Sequence, residues 1–343
     1  MQRWKSRPDG SNWGDYGDDD QLGRLNLLTP ERVRRAAAEI REGRTFCLSL
    51  PLDFPGGNRV NPRRHPPQLG HTWRDGQPNF NFPLERLDPN HVDVVCDDAA
   101  LIHLQYSTQW DSLAHVGQMF DADGDGIPEM VFYNGYRAGI DIVSPGALPR
   151  ETGRTTEPGG ALALGIHRAA EHGIQGRGVL VDLSTLAPDQ RLVGHRTLME
   201  AMAAQDVAVE EGDILCLHTG YAQRVLEMNR DPDPAALDAG HARLDGRDKA
   251  LLQWITDSGI AALVADNYAV EALPAGGCEG RHAAMPLHEH CLFKLGLPLG
   301  ELWYLTELAG WLRAHRRTRF FLTAPPLRLP GAVGSPVTPI ATV

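Results

Sequence analysis

The side chains best suited to chemistry gather in two short stretches. The first is Gln105-Tyr-Ser-Thr-Gln-Trp-Asp-Ser-Leu-Ala-His115, which packs amide, hydroxyl, carboxylate and imidazole groups together. Asp111 and His115 lie four apart, and a helical turn would put them on one face. A carboxylate that binds a cation beside a neutral imidazole makes a hydrolytic pair. The metal polarises an acyl oxygen or supplies hydroxide, and the imidazole moves the proton. The bland alternative is that Asp111 caps a helix and His115 is a half-buried structural histidine. The second stretch is His288-Glu289-His290, followed by Gly296-Leu-Pro-Leu-Gly-Glu301. A carboxylate among Leu299, Leu302 and Trp303 needs a partner, because burying an unpaired charge is costly. A metal would be one such partner, and by spacing either His288 or His290 reaches Glu301. The alternative is a surface helix with Glu301 in an exposed loop.

Two further features bear on ligands. Asp121-Ala-Asp-Gly-Asp-Gly126 begins like a calcium loop, but Phe132 stands where the closing glutamate belongs and Glu129 falls at position nine. No helix pair flanks it, so a turn-rich hairpin is expected rather than a calcium site. Trp110, Phe132, Tyr133 and Trp303, with Trp73, Phe80 and Phe82, are aromatics that could line a pocket for a planar substrate. For any one of them, a place in the core is the competing expectation.

Composition bounds the function classes. The chain has 343 residues, of which 42% are hydrophobic, enough to bury roughly three quarters of its unfolded surface. A net charge of -11 argues against a nucleic-acid partner, which would need clustered Lys and Arg. The densest basic run, His315-Arg-Arg-Thr-Arg319, follows a helix-like segment and is expected to complement its dipole. The five cysteines are scattered without a C-x-x-C, which argues against a disulfide framework and fits a reducing compartment. The first residues lack the apolar core of a signal peptide, and no apolar stretch is long enough to span a membrane. A cytoplasmic location is the expectation.

These residues need elements to position them. Residues 1–30 form a polar arm. A helix starts with Thr29 as N-cap, Pro30 at its first position and Glu31 in the first turn, and runs to about Glu42. Residues 45–52 are expected as a strand, and 54–90 as a long Pro/Gly/Asn-rich loop of the kind that often acts as a lid. Strands are expected at Val92–Cys96, Leu101–Tyr106, Gly178–Leu183, Asp213–His218, Ile260–Ala265 and Arg319–Thr323. Helices are expected at Pro158–Ala170, Leu198–Ala204, Arg247–Ser258, Leu287–Leu295 and Glu307–His315. The alternation predicts an α/β architecture. No G-x-G-x-x-G follows a strand and no G-x-S-x-G is present, so neither a dinucleotide fold nor a serine hydrolase has support.

Together the two clusters resemble the cyclase-like metal-dependent hydrolases, a family that includes bacterial kynurenine formamidase and isatin hydrolase. That family carries H-x-G-T-H-x-D-x-P-x-H, and this chain has Gln105-x-Ser107-Thr108-Gln109-x-Asp111-x-Leu113-x-His115. Thr108, Asp111 and His115 match. Both earlier histidines are glutamines, the glycine is Ser107 and the proline is Leu113. A downstream His with a following G-[IL]-x-[IL]-x-E is also typical, here His288 with Gly296 to Glu301. Further similar stretches are Gly178–Asp182, Gly212–Gly220, Val264–Asn267, Ala324–Leu327 and Gly334–Pro336, so the resemblance spans residues 90 to 343. It is greatest to the longer members with T-Q-W-D.

The resemblance implies a single domain over residues 1–343 of the swivelling β/β/α type, with a mixed sheet, flanking helices, and the arm and loop of residues 1–90 packed on it. It also implies a homodimer or homotetramer acting on a small molecule. Asp111, His288 and Glu301 would be metal ligands, His115 the general acid/base and Thr108 the residue that orients the loop. Glutamine at positions 105 and 109 departs from the pattern, and an amide oxygen is a weaker zinc ligand than imidazole. One metal per chain is therefore expected, Mn²⁺ or Zn²⁺, with Mg²⁺ also compatible. Gln109 is expected as a further ligand, and Gln105, Trp110 and Trp303 as substrate contacts. The implied reaction is hydrolysis of an amide, imide, lactam or ester bond in a cyclic or aryl-linked substrate. The alternatives are a metal-free pseudoenzyme or ligand-binding protein, and a ring-closing cyclase or dehydratase.

Overall fold

The short apolar runs of the sequence become the middle of a nine-stranded mixed sheet. The structure, a computed structural model, describes residues 2–146 and 159–343. In chain order the strands are β1 (Thr45–Cys47), β2 (Gln109–Asp111), β3 (Gln175–Asp182), β4 (Ile214–His218), β5 (Ala262–Ala265), β6 (Leu299–Glu301), β7 (Arg319–Thr323), β8 (Gly334–Pro336) and β9 (Ile340–Thr342). Their order in space is β1-β9-β7-β3-β4-β5-β6-β2-β8. β3 to β6 run parallel, and the strands outside them pair antiparallel. Parallel strands covered on both faces are apolar throughout. That is why β4 and β5 are buried at every position.

The sheet has to curl. β8 is an edge strand and β9 lies next to the opposite edge, yet only residues 337–339 connect them. In a flat sheet seven strand spacings would separate them by roughly 34 Å, whereas four residue steps reach at most roughly 14 Å. The ends therefore swing towards each other. Leu48 N–H donates to Pro339 O, Tyr304 N–H donates to Leu48 O, and Ser49 bridges Trp303.

Helices cover the sheet: α1 (Pro30–Ala37), α2 (Ile166–His172), α3 (His195–Ala204), α4 (Tyr221–Glu227), α5 (Pro234–Gly240), α6 (Lys249–Ser258), α7 (Pro286–His288) and α8 (Thr306–Ala314). Alternation along β3 sends Val179 and Val181 to one apolar layer, shared with Leu198 of α3 and Ile255 of α6. Leu180 faces the other, shared with Leu308 and Leu312 of α8.

The expected elements are present with shifted bounds. Thr29 accepts from Arg32 N–H as an N-cap, but α1 stops at Ala37. Residues 54–90 are not a plain loop, since short hairpin strands cross them at Gln68–His71, Trp73–Arg74, Gln77–Pro78 and Phe82–Pro83. The strand expected at 101–106 is instead Asp98–Leu101, and the motif after it itself supplies β2. The helix expected from Pro158 begins at Ile166, and Pro158 lies outside the described residues. The helix expected at 287–295 is α7 continued by a π-helical turn, Glu289–Lys294.

Candidate functional site

β2 and β6 lie side by side with Gln109 opposite Glu301 and Asp111 opposite Leu299. Side chains alternate along a strand, so Gln109 and Asp111 share one face, and Glu301 joins them from the neighbouring strand. All three are buried, as is His288, which α7 brings over them. One ligand atom each from Asp111, His288 and Glu301 lies within 4.8 Å of the others. His288 Nε2 is 3.2 Å from Glu301 Oε1. Gln109 Nε2 donates to Glu301 Oε2 at 3.1 Å and lies 3.5 Å from Asp111 Oδ1.

Of the two candidate histidines, the structure brings His288 to this centre. The Nε2 of His290 is 2.9 Å from Thr256 Oγ1 on α6. Burial, followed by the nearby Lys294 charge, pushes the pKa of His290 down to about 4. Behind His288 stands a residue that the sequence motifs did not single out. Glu271 is fully buried, its Oε1 is 2.7 Å from His288 Nδ1, and it accepts the backbone N–H groups of Leu287 and His288. A carboxylate behind an imidazole fixes the ring and directs the other nitrogen at a metal. The only sequence signal was an acid in the apolar surroundings of Val270 and Ala272.

The backbone around these acids is strained. Val270, just before Glu271, has φ +57°, and Leu302, just after Glu301, has φ +56°. Neither side chain favours the left-handed region, and such strain clusters where function over-determines geometry. Thr108 ties the site to the frame, since its Oγ1 donates to Leu302 O at 2.5 Å and accepts Leu50 N–H at 2.9 Å.

His115 is half-buried in the turn after β2, not on a helix, with Nε2 3.8 Å from Asp111 Oδ1. Gln105 is also half-buried, and its backbone oxygen accepts from Arg64 Nη1 at 2.5 Å. Arg64 comes from the loop after β1, a contributor that motif reading missed. That loop is pinned over the Gln105 side of the site. Gly56 N–H donates to Tyr106 Oη, which donates to Gly57 O, and Asn61 Nδ2 donates to Tyr268 Oη. Trp110 and Trp303 are not at the open side of the site. Trp110 points to the opposite face of β2, Trp303 packs against Gly300, and both are fully buried in edge-to-face contact. Their indole N–H groups donate to Ala324 O and Gln109 O. Tyr133 is likewise in the core, while Trp73 and Phe80 face outwards.

The electrostatics call for a cation. Burial raises the Asp111 pKa, with the nearby His115 opposing it. For Glu301 burial acts in the same direction, but the hydrogen bond and charge of His288 outweigh it and leave the group below its ordinary range. His288 is driven the other way. Burial lowers it, yet hydrogen bonds to Glu271 and Glu301 bring it up to about 10. A proton on His288 thus balances the carboxylates of Glu271 and Glu301. Asp111 Oδ2 and Gln109 Oε1 are buried without any hydrogen-bond partner. Orphaned buried oxygens of this kind need an explanation, and the donor set fits a hard divalent metal.

The other acidic cluster differs. Asp121, Asp123 and Glu129 lie on a hairpin between strands, and the Asp121 carboxylate caps the N–H groups of Gly124, Asp125 and Gly126. Arg137 already pairs with Asp123 and Glu129. This is the turn-rich hairpin expected from the sequence.

Comparison with known proteins agrees with this architecture. The Cyclase family model matches residues 67–272. A solved structure of a novel cyclase is 33% identical over 98% of this chain and 100% of its own, with a TM-score of 0.71. An isatin hydrolase bound to the product analogue thioisatinate shares the fold at 14% identity, covering 93% of this chain and 98% of its own, TM-score 0.53. Isatin hydrolase A from Labrenzia aggregata does so at 13% identity, with 93% and 98% covered and a TM-score of 0.52. No curated protein matches the chain. With the family model spanning more than half of its length and a solved cyclase matching nearly all of it, the chain belongs to the cyclase family.

Proposed function

We propose that the chain is a metal-dependent hydrolase of an amide, imide, lactam or ester bond in a small cyclic or aryl-linked molecule. The observation that carries this reading is the buried convergence of Asp111, His288 and Glu301 within 4.8 Å, beside two unpartnered oxygens. These three would hold one divalent ion, Mn²⁺ or Zn²⁺ by the donor set and Mg²⁺ as a third option, with Gln109 Oε1 as a neutral fourth donor. A metal so held supplies Lewis-acid polarisation of the acyl oxygen and lowers the pKa of water.

The chain's own groups do the rest. Glu271 holds the His288 ring in one orientation. Thr108 fixes the backbone on which Gln109 and Glu301 sit. His115 Nε2, at the half-open edge beside Asp111, takes a proton from water and returns it to the departing nitrogen or oxygen. Gln105 and Arg64, on the lid side, would bind the polar edge of the substrate. The pinned loop limits access of bulk water, which strengthens each interaction beneath it.

The same reading includes a homodimer or homotetramer in the cytoplasm, with neither nucleic-acid nor membrane partners. Free cysteines are compatible with that compartment. Among the described residues no helix is long and apolar enough to cross a membrane.

Elemental analysis of the purified chain tests the proposal. About one Mn or Zn per chain, lost in Asp111→Ala and in Glu301→Ala, is the expected result. A folded chain that carries no metal and takes up none on reconstitution would overturn it.

A further inference from the structure

The basic run at the end of α8 does more than meet a helix dipole. It borders a groove of about 660 Å³ between α3 and α8. Small-molecule sites span roughly 300 to 1,000 Å³ and combine an apolar wall with a few polar groups. The floor here is apolar, from Leu180 of β3, Leu186, Ala201 and Ala204 of α3, and Ala309 and Leu312 of α8. The alanines on the facing helices leave the space open. One rim carries Arg313, Arg316 and Arg317, and the groove continues past Arg316 and Arg317 into a polar depression of about 410 Å³ that reaches Arg41 and Arg319. None of the candidate metal-site residues lines either part.

The arginines are not all neutralised. Arg313 pairs with Asp182, and Arg317 Nη2 is held by Glu39. Arg317 also lies over the Trp311 ring, whereas Arg316 is exposed and has no ion-pair partner among the described residues. The fork geometry of its guanidinium matches a carboxylate. Asp182 and Asp206 also line the groove, so a dianion would be repelled more strongly than a monoanion.

We propose that the groove between α3 and α8 binds a small organic monocarboxylate, its anionic head at Arg316 and its short apolar body on the alanine and leucine floor. Calorimetric titration of the purified chain with hexanoate, with hexanol as the neutral control and inorganic phosphate as the dianionic one, tests it. Hexanoate is expected to bind saturably at one per chain and at least about tenfold more tightly than either control. Arg316→Ala is expected to weaken it about tenfold. Ala204→Trp fills the groove from an exposed position and is expected to abolish it. Glu301→Ala is expected to leave this binding unchanged, which separates it from any carboxylate bound at the metal centre. Absence of saturable binding, binding that survives Ala204→Trp, or binding lost with Glu301→Ala would each overturn the proposal. A failed metal assay would not affect it.

Discussion

Gln109, Asp111 and Glu301 meet because they share a face of two paired strands, whereas Trp110 between them must point the other way. Two predictions belong to this scale. Removing the proposed acid/base in His115→Ala should lower turnover by about 10² to 10⁴-fold. Metal content should stay at the wild-type level, because His115 stands outside the cluster formed by Asp111, His288 and Glu301. Turnover equal to the wild type in the metal-loaded variant would remove that role. Glu271 acts one step further back, since its Oε1 faces His288 Nδ1. Glu271→Gln should weaken metal affinity by about 10 to 100-fold, read by competition with a chelator, while the fold persists by circular dichroism. An unchanged affinity would mean that the backbone alone orients His288.

The C-terminal ends of three neighbouring parallel strands hold a second buried charge cluster. Asp182 ends β3, His218 ends β4 and Asp266 follows β5. His218 Nδ1 is 3.0 Å from Asp182 Oδ1, and Nε2 is 3.9 Å from Asp266 Oδ2. Burial works against the charged imidazole, but the Asp182 hydrogen bond and the two carboxylates outweigh it, so the His218 pKa is raised. A raised histidine contributes stability that is fully present below its unfolded value of about 6.5 and is lost as pH rises through its folded value. His218→Asn should therefore cost about 3 kcal/mol at pH 6, with the gap to wild type narrowing at alkaline pH. Chemical denaturation at several pH values measures this, and a gap that widens towards high pH would contradict it.

At the scale of the whole molecule, the hairpins between residues 68 and 101 stand apart from the core. Both Gln68–His71 and Asp98–Leu101 are exposed at every position, and Leu69, Trp73 and Val94 are 76%, 68% and 61% exposed. A lone two-stranded hairpin is marginal in water, and exposed apolar clusters mark contact sites. The proposed homo-oligomer accounts for them. Light scattering after size exclusion should show a dimer or tetramer, and the double variant Trp73→Asp/Val94→Asp should shift it to monomer. A wild-type monomer at micromolar concentration would sink this part of the reading.

Taken alone, the sequence determined the elements whose signals are local. Apolar runs bounded by Gly or Ser marked β3, β4 and β5, and Thr29-Pro30 marked the start of α1. The clusters around Asp111 and around His288 and Glu301 were legible because they combine ligand types with family-like spacing. Other features were decided only by tertiary structure. The choice of His288 over His290 follows from the helix register, which aims one ring at Glu301 and the other at Thr256. Glu271 and Arg64 are far from the motifs in sequence and meet them only through packing. Trp110 and Trp303 looked like pocket walls, yet the pleat and Gly300 send them into the core. The three-residue strands β2, β6 and β8 carry almost no periodic signal of their own. Their pairing, and the curl that brings both ends of the sheet together, come from non-local hydrogen bonds that no window of sequence contains.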